Sequence, residues 1–269
     1  MEYRELGHTG EKVSTIGMGT WKMGVYTHPN QKAAQVYALR RGIELGMNLI
    51  DTAEMYADGK SEEVVAEAIR GQRDKVFIAT KVSPEHLHYD NVITSCNASL
   101  RRLGVSHIDL YQVHWPNPSI PISETMYAME ELVKSGKVRY IGVSNFSPEQ
   151  TDEARAALSK NDVVANQIVY SLGNPSVEAS ILPYCERERM SLIAYSPLDR
   201  GRFPESRIPK ALAAKYGMTP AQVVLNWVTR NERVLAIPKA ADINHLEENA
   251  KSVDVRMTGA EYAAIGGRS

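Results

Sequence analysis

Short apolar runs rich in β-branched residues recur along the chain, beginning near Ile16, Asn48, Val76, Ile108, Val138, Val164, Ser191 and Val234. Segments of helical length separate them. In Glu62-Glu-Val-Val-Ala-Glu-Ala-Ile, residues Val64, Val65, Ala68 and Ile69 share one stripe opposite the carboxylates, which predicts an amphipathic helix. Ser61 stands where its N-cap is expected. Two further helices are predicted between the seventh and eighth runs, near 207–216 and 220–230, the second opening with Pro220 at a tolerated first position. Ahead of the first run, Tyr3-Arg-Glu-Leu and Lys12-Val-Ser flank the turn-forming His8-Thr-Gly-Glu, the pattern of a β-hairpin. Eight strands alternating with helices, with no Pro-, Gly- or Ser-rich linker, predict an α/β fold. The expected architecture is a single (β/α)8 TIM barrel domain over residues 1–269, capped by the N-terminal hairpin.

Size and charge narrow the partners. The 269 residues suit one such barrel, typically about 250 residues long. An apolar fraction of 43% supplies a core, and a net charge of -1 without a basic run argues against nucleic acid. No signal-peptide h-region and no run of about 18 apolar residues occurs, so a cytoplasmic protein without membrane contact is expected. Cys96 and Cys185 lack metal-ligand spacing and read as small buried residues, and the sequons at Asn97 and Asn145 as chance matches. A small-molecule partner and a monomer or weak oligomer are the expectation.

The chemistry concentrates where the apolar runs end. Asp51, Tyr56, Lys81 and His114 each lie at or just past the C-terminal end of a predicted strand, the end at which barrel enzymes hold catalytic groups. Together they suit proton transfer. A phenol ordinarily titrates near pH 10, and an adjacent ammonium lowers that value by favouring phenolate. Lys81 is the candidate ammonium, with Asp51 as the counter-ion that makes its burial tolerable. His114 can donate a hydrogen bond to a carbonyl oxygen, leaving Tyr56 as the general acid. Rival readings are weaker. Gly17-Met-Gly19 lacks the third glycine and following helix of a dinucleotide fingerprint, so a glycine turn after the first strand is the plain reading. No HxH or HxxxH pair supports a metal, and no G-x-S-x-G elbow supports a serine nucleophile. Gly19, Thr20 and Trp21 would still lie on the functional face if the first strand points into the barrel mouth.

These residues resemble the aldo-keto reductases over positions 3 to 250 or so. Gly46-Met-Asn-Leu-Ile-Asp-Thr-Ala-Glu-Met-Tyr56 is similar to the family's first signature, and Leu100-Arg-Arg-Leu-Gly with Ile108-Asp-Leu-Tyr-Gln-Val-His-Trp-Pro to its fourth-strand region. Gly136-Lys-Val-Arg-Tyr-Ile-Gly-Val-Ser-Asn-Phe resembles the fifth-strand signature, and Ile237-Pro-Lys with Glu248-Asn249 the closing one. The resemblance implies reduction of aldehydes or ketones with NADPH and no metal. Asp51, Tyr56, Lys81 and His114 would be the catalytic tetrad, His114 marking carbonyl rather than C=C reduction. Ser144, Asn145 and Gln167 would bind the nicotinamide carboxamide, and Tyr195 would stack on its ring. Ser196, Pro197 and Leu198 would cross the pyrophosphate, with Arg200 and Arg202 supplying charge. Gly19, Thr20, Trp21, Ile237, Pro238, Lys239, Glu248 and Asn249 complete the implied cofactor contacts.

Two departures matter. At the register of an Arg that often grips the 2'-phosphate this chain has His245, and Ala240 replaces a frequent Ser, so the implied NADPH preference is softened and NADH use stays open. The segment after the last predicted helix is short, so an uncovered pocket lined by Trp21, Met55, Tyr56, His114 and Trp115 is expected to accept varied aldehydes. The alternative from another class is a nucleotide-binding regulatory protein on the same barrel with little turnover.

Overall fold

The computed structural model describes residues 1–266, with residues 267–269, part of the short C-terminal segment behind the expected uncovered pocket, outside the described residues. A hairpin of β1 (Tyr3–Glu5) and β2 (Lys12–Ser14) precedes a sheet of eight parallel strands. These are β3 (Met18–Gly19), β4 (Leu49–Asp51), β5 (Phe77–Val82) and β6 (Ile108–Val113), then β7 (Val138–Ser144), β8 (Val163–Val169), β9 (Ser191–Tyr195) and β10 (Val234–Ala236). Each pairs with its sequence neighbour, and a parallel bridge between Ile16 and Ala236 closes the ring. Helices α1 (Gln31–Glu44), α2 (Lys60–Ile69), α3 (Tyr89–Leu103), α4 (Ile122–Lys134), α5 (Pro148–Ala156) and α6 (Ile181–Arg187) fill the crossovers between β3 and β9. Both α7 (Lys210–Tyr216) and α8 (Pro220–Val228) lie before β10, and α9 (Ile243–Lys251) and α10 (Gly259–Gly266) follow it.

Strand parity sorts the side chains. Leu49, Phe77, Ala79, Leu110, Ala165, Ile193 and Leu235 form a cluster inside the barrel, while a larger apolar layer lies between sheet and helices. Such two-sided burial is why β5 and β6 read as nearly continuous apolar runs. The hairpin caps the opposite end from the strands' C-termini. Leu6 and Val13 join the inner cluster, and the Gly7 N–H donates to Ser191 Oγ at 2.8 Å. A side chain at Gly7 would meet the Val164 carbonyl oxygen at 2.6 Å.

Beside that cap, Asp109 at the start of β6 is almost fully buried. It accepts from Arg73 at 2.6 Å, Arg139 at 2.8 Å and the Ile78 N–H at 2.8 Å, while Arg139 also pairs with Glu11 of the hairpin.

Two local expectations change. Gly17 and Gly19 do not form a turn: Gly19 ends β3, and a Cβ there would lie 2.6 Å from the Ile237 carbonyl oxygen, so small residues let the barrel seam close. Ser61 is not the cap of α2, which begins one residue earlier behind a left-handed Gly59. Its buried hydroxyl donates instead to Thr20 Oγ1 at 2.7 Å and accepts from Thr52 at 3.1 Å. The start of α8 does match expectation, with Pro220 at its first position inside a capping box formed by Thr219 and Gln222. Both cysteines are buried and unpaired. Among the described residues no helix is long and apolar enough to cross a membrane.

Candidate active site

The C-terminal ends of the strands open on a cavity of about 880 Å³. That volume lies within the usual range for ligand pockets, roughly 300–1,000 Å³. Non-glycine residues in the left-handed region cluster in the loops around it: Lys22, Ala57, Asp58, Asn145, Ser196, Asp199 and Arg200, all of the described ones except Arg189. Each such residue costs on the order of 1–3 kcal/mol and persists only where its surroundings impose it.

Asp51 ends β4 and Lys81 stands near the end of β5, so their inward side chains meet inside the barrel. Lys81 is fully buried, with Nζ donating to both Asp51 oxygens at 2.8 Å and to the Thr52 carbonyl at 2.8 Å. Burial alone would lower the Lys81 ammonium, but Asp51 and Tyr56 outweigh it and hold the group above its ordinary value. It stays charged. Tyr56, in the loop after β4, lies above the pair with its ring centroid 5.2 Å from Nζ. His114 follows β6 and meets the Tyr56 ring edge to face, with centroids 5.6 Å apart.

The electrostatics differ from expectation at Tyr56. Burial pushes its phenol above the ordinary value, and Lys81 opposes that rise without reversing it. Tyr56 is therefore a protonated donor across the physiological range. Burial, with a contribution from Lys81, pushes His114 down to about 3, so its imidazole is neutral. Its Nδ1 is buried, which leaves Nε2 as the nitrogen that can meet a ligand.

Amide and hydroxyl groups surround the Asp51 side of the cavity. Gln167, inward on β8, donates from Nε2 to Asp51 Oδ1 at 2.7 Å. Asn145, just beyond β7, donates to the His114 carbonyl at 3.0 Å and to Ser144 Oγ at 2.9 Å, and accepts from the Tyr195 hydroxyl at 3.0 Å. Ser144 Oγ donates to the Gln167 carbonyl at 2.8 Å. Cations gather elsewhere on the wall. Lys22 Nζ and the Arg200 guanidinium lie 4.6 and 4.7 Å from the centre of the Trp21 ring. Lys239 is held below its ordinary range by desolvation and by Lys22. Among the described residues none of these three cations is ion-paired.

Gly19, Trp21, Met55, Trp115, Tyr195, Ser196, Pro197, Leu198, Ile237, Pro238, Lys239, Glu248 and Asn249 all line this cavity, as do Asp51, Tyr56, His114, Ser144, Asn145 and Gln167. Thr20 does not. Its buried hydroxyl donates to the Asp51 carbonyl at 2.9 Å, fastening β3 to β4. Lys81 lies beneath the wall and Arg202 is not part of it. The cavity also takes in Lys22, Val25, Ala57, Phe203 and Ala221, which sequence reasoning did not single out. Lys22 and Ala57 adjoin singled-out residues, and Ala221 follows the recognised start of α8. Phe203 carried no local signal.

The chain is similar to known proteins along nearly its whole length. The sequence model described as "Aldo/keto reductase family" matches residues 15–267. The methylglyoxal reductase YeaE of Escherichia coli (strain K12) is 41% identical over 271 residues, covering 98% of this chain and 94% of that protein. A thermostable aldo-keto reductase crystallised with the inhibitor epalrestat superposes with a TM-score of 0.94 at 37% identity over the whole of both chains. An aldo/keto reductase of Klebsiella pneumoniae in complex with NADP and acetate gives 0.88 at 41% identity, over 98% of this chain and 93% of that one.

Proposed function

The chain belongs to the aldo/keto reductase family, and on that premise we propose that it reduces aldehydes and ketones to alcohols with NADPH. The carrying observation is the convergence of Tyr56, Lys81, Asp51 and His114 beside a cavity that offers amides near Asp51 and cations elsewhere on its wall. That donor set fits a nicotinamide dinucleotide. Gln167 retains an amide oxygen and a second N–H, and Asn145 Oδ1 a second lone pair, which match a carboxamide with both donors and an acceptor. Lys22, Arg200 and Lys239 match phosphate charge. When bound, the cofactor supplies hydride to the carbonyl carbon.

The chain's own residues do the rest. Nε2–H of neutral His114 donates to the substrate oxygen and turns it toward Tyr56, which passes its phenolic proton to the developing alkoxide. Lys81 stabilises the phenolate left behind, and Asp51 keeps the ammonium in place. Trp21, Met55 and Trp115 are each well exposed at the mouth, so apolar contact gives modest discrimination among aldehydes. Small 2-oxoaldehydes are included, in keeping with the methylglyoxal reductase relative. With Lys239 as a point charge and His245 also on the cavity wall, the preference for NADPH over NADH is modest.

The test is turnover of methylglyoxal and an aromatic aldehyde with each cofactor, followed by loss of absorbance at the nicotinamide band. Tyr56→Phe is expected to lower kcat by roughly 10²- to 10⁴-fold with cofactor affinity retained. Equal turnover in wild type and Tyr56→Phe sinks the mechanism.

A further inference from the structure

The hydrogen bond from Gln167 to Asp51 joins two groups of residues that the proposed mechanism treats separately. Gln167 and Asp51 are 116 positions apart in the chain and each is about 2% exposed. Asp51 Oδ1 accepts from both Lys81 Nζ and Gln167 Nε2, while among the described residues Oδ2 accepts from Lys81 alone. In a dry interior a carboxylate takes its orientation from its donors, and a second donor at an angle to the first removes its freedom to rotate. Water cannot replace that donor without entering the barrel.

We propose that Gln167 is a positioning residue for proton transfer: its amide N–H holds the Asp51 carboxylate square to Lys81, and so keeps the ammonium beneath Tyr56. This inference rests on the carbonyl-reductase reading. Gln167 belongs to the same cavity wall as the amides assigned to the carboxamide, so one side chain serves both the cofactor subsite and the tetrad. Removing its N–H leaves a fuller negative charge on Asp51. Asp51 opposes ionisation of Tyr56, so that change disfavours phenolate. The other groups facing Tyr56 are Lys81 from β5, His114 beyond β6 and the Tyr195 phenol at the end of β9. His114 is neutral throughout the working range.

The experiment compares wild type, Gln167→Met and Gln167→Asn by the pH dependence of kcat for aldehyde reduction, alongside cofactor affinity by fluorescence titration. Methionine removes the donor at similar length, and asparagine keeps the amide one methylene out of reach. In both variants the alkaline limb of kcat is expected to move up by about one pH unit, and kcat to fall roughly 10- to 100-fold, the range for losing a hydrogen bond to a charged group. KM for the aldehyde should stay within about twofold. If Gln167→Met does not fold, Gln167→Asn decides. An unmoved limb in a folded variant, with only cofactor affinity reduced, overturns the positioning role. Absence of turnover in wild type overturns the carbonyl-reductase reading itself, which distinguishes the two failures.

Discussion

Both ends of the barrel bury a strand carboxylate beside a cation, and they use it differently. At the capped end Asp109 is held by two guanidinium groups and the Ile78 N–H, and Arg139 continues to Glu11 of the hairpin. Guanidinium groups stay charged at any working pH and bond in a fixed plane, so this cluster ties β5, β6, β7 and the hairpin together. At the open end Asp51 is held by one ammonium and one amide. The ammonium is a compact point charge, and above it lies a phenol that can give up a proton. The same buried pairing is a clamp where its cations are fixed guanidinium groups and a tuning device where a phenol able to transfer a proton lies above it.

The largest expected effect tests the open end. Lys81→Met should lower kcat by about 10²-fold or more. It should also destabilise the fold by roughly 3–5 kcal/mol, because Asp51 is left as a buried unpaired charge. Steady-state kinetics and urea denaturation read the two losses separately. Lost stability with kcat unchanged would make the open-end pair a clamp like the other. Asp109→Asn should cost roughly 1–3 kcal/mol in the same denaturation experiment while kcat stays within about twofold. A large kcat loss there would erase the distinction.

A smaller effect separates the two ends by pH. His114 is pushed down to about 3 by burial, whereas the unfolded chain's histidine titrates near 6.5. Between those values the unfolded state binds more protons, so this group's contribution to stability is present above about pH 6.5 and is lost as pH falls toward 3. The slope is at most about 1.4 kcal/mol per pH unit. His114→Gln should flatten the acid side of the stability curve measured by thermal melts from pH 7 to 5. His107 beside the clamp is also lowered, by burial and Arg73, but its side chain is 36% exposed. His107→Gln should therefore change the curve least, and a larger effect there than at His114 would reverse the comparison.

The alternation of apolar runs and amphipathic segments determined the barrel, because strand and helix periods are local properties that survive without knowledge of the partners. For the same reason the positions of Asp51, Lys81 and His114 at strand ends, the Thr219-Pro220 helix start and the burial of both cysteines were legible. Contacts across the ring were not. Ser61 looks like a cap in sequence, yet closure brings it to Thr20 and turns its hydroxyl into a fastener. Arg200 over Trp21, Phe203 on the cavity wall and Gln167 on Asp51 each join elements far apart in the chain. The sign of the Tyr56 shift belongs with them. A neighbouring Lys predicts a lowered value, but the depth of the phenol decides whether desolvation exceeds that attraction. Chain order specifies which groups are available; closure of the barrel decides their distances and their exposure to water, and charge interactions depend on both.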